Sequence, residues 1–120
     1  MLRQTLCVLI ATAGVTMHGT AAVAKPMSDS DATRFFNAKG CKSCHAANEM
    51  RVGPSYLMIA QRYPNAPAEA FERLSLKVLR GGSGAWGTTP MISHPDVSEA
   101  EAETIVRWIL NAPHGEERKK

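Results

Sequence analysis

The sequence predicts an all-α fold, and three observations predict it. Ser98-Glu99-Ala100-Glu101 is a capping box, and Ala102, Ile105, Val106, Ile109 and Leu110 follow it at helical spacing. No stretch alternates apolar and polar residues as a half-buried strand does. Gly and Pro fall between the periodic stretches, where they punctuate helices instead of interrupting them.

The elements follow in order. A first helix is expected from about Asp29 to Lys39, with Ser28 as cap and Asp31 three residues on. Ala32, Phe35 and Phe36 share one of its faces, and Gly40 ends it. A second, short helix runs from Ser55 to about Gln61, entered from Pro54 and carrying Tyr56, Leu57, Ile59 and Ala60. Pro64-Asn65-Ala66-Pro67 breaks it. A third covers Ala68 to Arg80, with Phe71, Leu74, Leu76, Val78 and Leu79 as apolar positions, and Gly81-Gly82 terminates it. The last helix begins at the capping box and stops at Asn111-Ala112-Pro113. Trp108 lies at the edge of its apolar stripe and reads as core packing.

Residues 1–24 read as a secretory signal peptide, cleaved after Ala24. Arg3 supplies the positive start, Leu6 to Val15 the apolar centre, and Ala22-Val23-Ala24 the small-residue cleavage site. The apolar run is too short to span a bilayer, and Cys7 inside it leaves with the leader. The expected location is therefore the periplasm. Residues 25–112 form one domain, and residues 113–120 are a charged tail expected to be disordered. The formal charge is +3, of which Arg3 belongs to the leader, so the exported chain carries +2. That is too weak to argue for nucleic-acid or membrane binding.

Cys41-Lys42-Ser43-Cys44-His45 carries the chemistry. A C-x-x-C-H run is the attachment signature of a c-type haem. Two thiols one turn apart reach both vinyl groups of one porphyrin, and the next residue delivers an imidazole to the iron. A redox dithiol normally sits in a βαβ pattern, which is absent. A zinc site needs four ligands, and His94 and His114 are isolated.

Residues 81–95 contain no Asp, Glu, Lys or Arg and are too rich in Gly and Pro for a helix or a strand. They read as a functional loop. Met91 stands in it behind the stiff Pro90. A thioether is a soft, neutral ligand that favours reduced iron. His94 is the chemical rival in the same segment. Met58 and Met50 read as gap-filling core residues, and Met27 lies near the terminus.

Phe36-Asn37-Ala38-Lys39-Gly40-Cys41-x-x-Cys44-His45, Val52-Gly53-Pro54, Gly84-Ala85-Trp86-Gly87-x-x-Pro90-Met91 and a terminal helix with Trp108 occur in that order. Over about residues 30–111 this chain resembles a class I cytochrome c of the small, soluble bacterial type. The resemblance implies about four short helices wrapped around one covalent haem c, with the first and last helices crossing so that Phe36 meets the Trp108 region. It implies Cys41 and Cys44 as thioether links, His45 and Met91 as axial iron ligands, and the Pro54 carbonyl as acceptor from His45 Nδ1–H. It also implies that Trp86 and Lys77, with Arg80 as an alternative, meet the haem propionates. Ile92-Ser93-His94-Pro95 departs from the family pattern by its length.

The expected function is a monohaem one-electron carrier between larger respiratory redox partners, monomeric and not an enzyme. Docking is expected through a transient interface at the haem edge, with Lys39, Lys42 and Arg51 as a basic rim. A haem enzyme or gas-binding sensor requires an open sixth position, against which Pro90-Met91 argues. A haem subunit of a larger complex is the remaining rival.

Overall fold

A computed structural model describes residues 25–112 of the 120-residue chain. The leader with Cys7, His114 and the charged tail lie outside the described residues. Four α-helices appear where periodicity and caps place them: α1 Asp29–Ala38, α2 Tyr56–Arg62, α3 Ala68–Arg80 and α4 Glu99–Asn111. None is long and apolar enough to cross a membrane.

Each start has a local cause. Ser28 Oγ accepts from the Asp31 N–H at 3.2 Å, and Ser55 Oγ accepts from Met58 N–H at 3.1 Å. Ser98 and Glu101 form the complete box, with the Ser98 N–H donating to Glu101 Oε2 at 2.8 Å. These contacts satisfy backbone donors that a helix start leaves open. They also hold the Glu101 carboxyl below its usual range, first through the Ser98 backbone N–H.

The core is aromatic at its centre. Ala32 and Phe36 of α1, Tyr56 of α2 and Ile105, Trp108 and Ile109 of α4 form one buried cluster. Phe36 stacks on Tyr56 at 4.2 Å between centroids and meets Trp108 edge-on at 5.5 Å. The expected meeting of Phe36 with Trp108 is present. The Trp108 indole N–H also donates to Asp29 Oδ1 at 3.0 Å, which ties the two ends of the described chain together.

Two sequence expectations need correction. The segment after α3 is not free of strands: β1 Gly82–Gly84 pairs antiparallel with β2 Gly87–Met91, with an irregular register between them. The pair shows no apolar alternation because its residues are mostly exposed, so periodicity could not reveal it. Met50 is not a core residue, since it is 56% exposed on the segment after the haem motif.

Lys39 closes the fold near the site. Its ammonium donates to the Asp96 carbonyl at 2.5 Å and lies 3.5 Å from Asp96 Oδ2 and 3.9 Å from Glu101 Oε1. The side chain is only 19% exposed. It joins the end of α1 to the start of α4 and to the segment after Met91. Lys39→Ala is expected to lower the stability of the haem-loaded protein by about 1–2 kcal/mol, the range of a partly desolvated charged hydrogen bond. Denaturant unfolding measures it, and a change no larger than that of an exposed lysine would refute the structural role.

Candidate haem site

The C-x-x-C-H run is wound into a single 3₁₀ turn at Cys41–Ser43. The Cys44 and His45 N–H groups both donate to the Cys41 carbonyl, at 3.2 and 2.9 Å. Backbone bonds then fix the run to α2. Gly53 N–H donates to the Cys44 carbonyl at 2.8 Å, Tyr56 N–H to Ala46 and Leu57 N–H to Ala47, each at 3.0 Å. This ladder brings the Pro54 carbonyl to 2.7 Å from His45 Nδ1. An Nδ1–H donates there, which leaves the Nε2 lone pair free for a metal.

Gly53 lies against the same ring. A Cβ at this position would stand 2.5 Å from His45 Cε1 and 3.0 Å from Nδ1. Gly53→Ala is therefore expected to turn the imidazole and lengthen its bond to Pro54. A raised midpoint potential, because a weaker Nδ1–H bond leaves the imidazole less basic, and an altered ring orientation by NMR, with covalent haem retained, would report this. An unchanged potential would show that the backbone yields instead.

Cys41, Cys44, His45 and Met91 all line one cavity of about 570 Å³. Cys41 and Cys44 form no disulfide. Burial pushes the Cys41 thiol above its ordinary range. Leu74 and Val78 of α3 and Ile105, Val106 and Ile109 of α4 supply apolar wall. Tyr56 also borders the cavity, parallel to the His45 ring at 6.0 Å. Its hydroxyl is buried without a protein partner, and burial pushes its pKa above the usual tyrosine range. Among the described residues no Asp or Glu lines the cavity.

The predicted polar residues are brought there too. Trp86 and Lys77 line the wall. The Arg62 guanidinium lies 4.9 Å from the Trp86 ring centroid, and Lys77 Nζ donates to the Ser83 carbonyl at 3.2 Å. Arg80 does not line the cavity, whereas Arg73 does. Arg73 is the residue that sequence reasoning missed. Its signal was the four-residue spacing from Lys77, which puts both cations on one face of α3. His94 borders the cavity as well, while Met27, Met50 and Met58 do not. Among the described residues no three His, Cys, Asp or Glu side chains gather to hold a bare metal ion.

Met91 is held from behind by backbone. Gly81 has φ +69°, and a Cβ there would collide with the Met91 carbonyl. Only glycine allows α3 to end so close to β2.

This donor set fits a haem. Two thiols, an imidazole with its Nε2 free and a thioether surround an apolar cavity. Two cations and no carboxylate stand where a dicarboxylate porphyrin needs charge balance.

Comparison with known proteins agrees. The family described as Cytochrome c matches residues 30–113. Cytochrome c-551 of Azotobacter vinelandii is 43% identical over 76 residues, covering 63% of this chain and 90% of that protein. Cytochrome c-552 of Hydrogenobacter thermophilus is 40% identical over 73 residues, covering 61% and 72%. The crystal structure of Nitrosomonas europaea cytochrome c552 superposes with a TM-score of 0.61 at 33% identity, covering 66% of this chain and 96% of that one. The chain therefore belongs to the cytochrome c family, as a class I c-type cytochrome of the small bacterial kind whose cofactor is covalent haem c.

Proposed function

We propose that this chain is an exported, periplasmic one-electron carrier that meets respiratory redox partners through a transient interface at the haem edge. One observation carries the reading: His45 and Met91 line the same apolar cavity as the paired cysteines, and two axial ligands would leave no coordination position for a substrate. The relatives' names, cytochromes c-551 and c-552, support a carrier over an enzyme.

Each residue has a defined task in this reading. Cys41 and Cys44 form thioethers, so the cofactor cannot dissociate. His45 Nε2 and the Met91 sulfur would hold the iron. Pro54 holds the imidazole ring in one tautomer and one orientation. Lys77, Arg73 and Trp86 neutralise and position the propionates. The aliphatic wall excludes water, and a low-dielectric site that changes little between charge states suits electron transfer. When bound, the haem supplies a centre that takes up and releases one electron.

The contact surface is apolar, with Ile92 67% and Val52 62% exposed. The basic rim is smaller than the sequence implied. Lys39 is engaged internally, and Arg51 donates to the Lys42 carbonyl at 3.1 Å and to Glu49. Lys42 is left as the rim cation best placed to steer an acidic partner. Lys42→Glu is expected to slow association at low salt and to leave the potential unchanged. The effect shrinks as the screening length falls to about 8 Å at physiological ionic strength. Stopped-flow rates across a salt series decide, and equal salt slopes in both proteins remove the steering role.

Oxidised and reduced optical spectra of the exported protein test the whole proposal. Covalent haem, a low-spin ferric state and a near-red sulfur-to-iron band are expected. A high-spin ferric spectrum that binds carbon monoxide readily on reduction would point to an enzyme or gas sensor instead.

A further inference from the structure

We infer that the segment after β2 carries two iron ligands, Met91 in residence and His94 in reserve, so that loss of the thioether does not open the iron. The inference rests on the reading of Met91 as resident axial ligand.

His94 is 8% exposed, although it belongs to a connecting segment between β2 and α4. A buried imidazole normally has hydrogen-bond partners. The ring of His94 makes no hydrogen bond or ion pair among the described residues. It borders the same cavity as Met91 and His45. The His94 ring nitrogens are not fully buried, and an imidazole without a protein partner at the edge of a metal site is a nitrogen donor available to that metal.

The backbone explains how both side chains reach one wall. The chain from Met91 to Ser93 runs against Gly81, and the His94 N–H donates to the Leu79 carbonyl at 3.2 Å. The His94 carbonyl accepts from the Val97 N–H at 3.1 Å, which leads directly into the Ser98 cap of α4. Residues 91–94 are thus anchored along the end of α3 independently of the Met91 side chain. Withdrawal of the thioether leaves the His94 backbone in place, with its imidazole still on the cavity wall. Lys77 also stands on the cavity wall, but its Nζ already donates to the Ser83 carbonyl.

The experiment uses the exported, haem-loaded protein and three variants: Met91→Ala, His94→Ala and the double Met91→Ala/His94→Ala. Electron paramagnetic resonance and optical spectra report the ferric spin state, and titration reports carbon monoxide binding to the reduced form. In Met91→Ala the near-red sulfur band should vanish while the ferric iron stays low-spin with two nitrogen ligands. The double variant should turn high-spin and bind carbon monoxide at least about tenfold more tightly than Met91→Ala, about 1.4 kcal/mol. His94→Ala alone should keep the sulfur band. If Met91→Ala is already high-spin and matches the double variant, the reserve ligand is refuted and Met91 remains the resident one. If Met91→Ala is low-spin but stays so in the double variant, another donor fills the position and the assignment to His94 is refuted. If the sulfur band survives Met91→Ala, the resident assignment itself fails, and this inference with it. Should alanine at position 91 prevent folding, Met91→Leu, which keeps the apolar volume, is compared with Met91→Leu/His94→Ala by the same criteria.

Discussion

Replacing Cys41 and Cys44 together by alanine is expected to leave the exported chain without covalent haem and without a stable fold. The reason lies in the volume that the helices surround. The cavity is about 570 Å³, and its walls are the inner faces of α3 and α4 with the C-x-x-C-H turn. An enclosed void costs about 24 cal/mol per Å³, which would be about 14 kcal/mol for this volume, an upper bound because the cavity is open to solvent and its walls partly close. A domain of this size has a total stability of about 5–15 kcal/mol. The chain cannot keep these walls apart without the cofactor, so binding and folding are one equilibrium. Acidic organic solvent should extract whatever haem the double variant retains, and its circular dichroism should show largely lost helix. A wild-type mass equal to the bare polypeptide, after export in a host competent for haem attachment, would contradict the covalent link. Native helical content in a haem-free double variant would contradict the dependence of the fold.

Met91→His is expected to lower the midpoint potential by on the order of 0.1 V, within the roughly 0.8 V that axial ligands span. Imidazole stabilises ferric iron relative to a thioether, while both keep the iron six-coordinate. The near-red sulfur band should disappear, and the ferric spin state should stay low. Voltammetry of the haem-loaded variant measures the shift. A potential within experimental error of wild type, with the sulfur band intact, would mean that Met91 is not the ligand. Gly53→Ala acts through the His45 ring instead of through Met91, so it should leave the sulfur band in place.

The local sequence carried the helices and the attachment chemistry because both are short-range. The Ser98 box, the apolar stripe from Ala102 to Leu110 and the glycine after α1 each act within one or two turns of backbone. The C-x-x-C-H run likewise states its geometry in five consecutive residues. Trp108, at the edge of that stripe, reads as packing and is buried in the fold. The β1–β2 pair escaped because it has no buried face, and glycine conformations close it instead of an apolar pattern.

Long-range placement was decided only by the tertiary structure. Lys39 and Arg51 look like free surface cations in the chain, yet the fold brings Asp96 and Glu101 to the first and the Lys42 carbonyl to the second. Arg73 enters the site because the rotation of α3 against α4 turns its face to the cavity, and one helix alone does not define that rotation. His94 is a loop residue by sequence and a buried, unpartnered imidazole in space, because the end of α3 captures its backbone. Helix and motif are set by neighbours along the chain, whose contacts the sequence states directly. Burial, ion pairing and access to the cavity depend on which distant segments pack together, and that follows from closing the whole chain around one large apolar body.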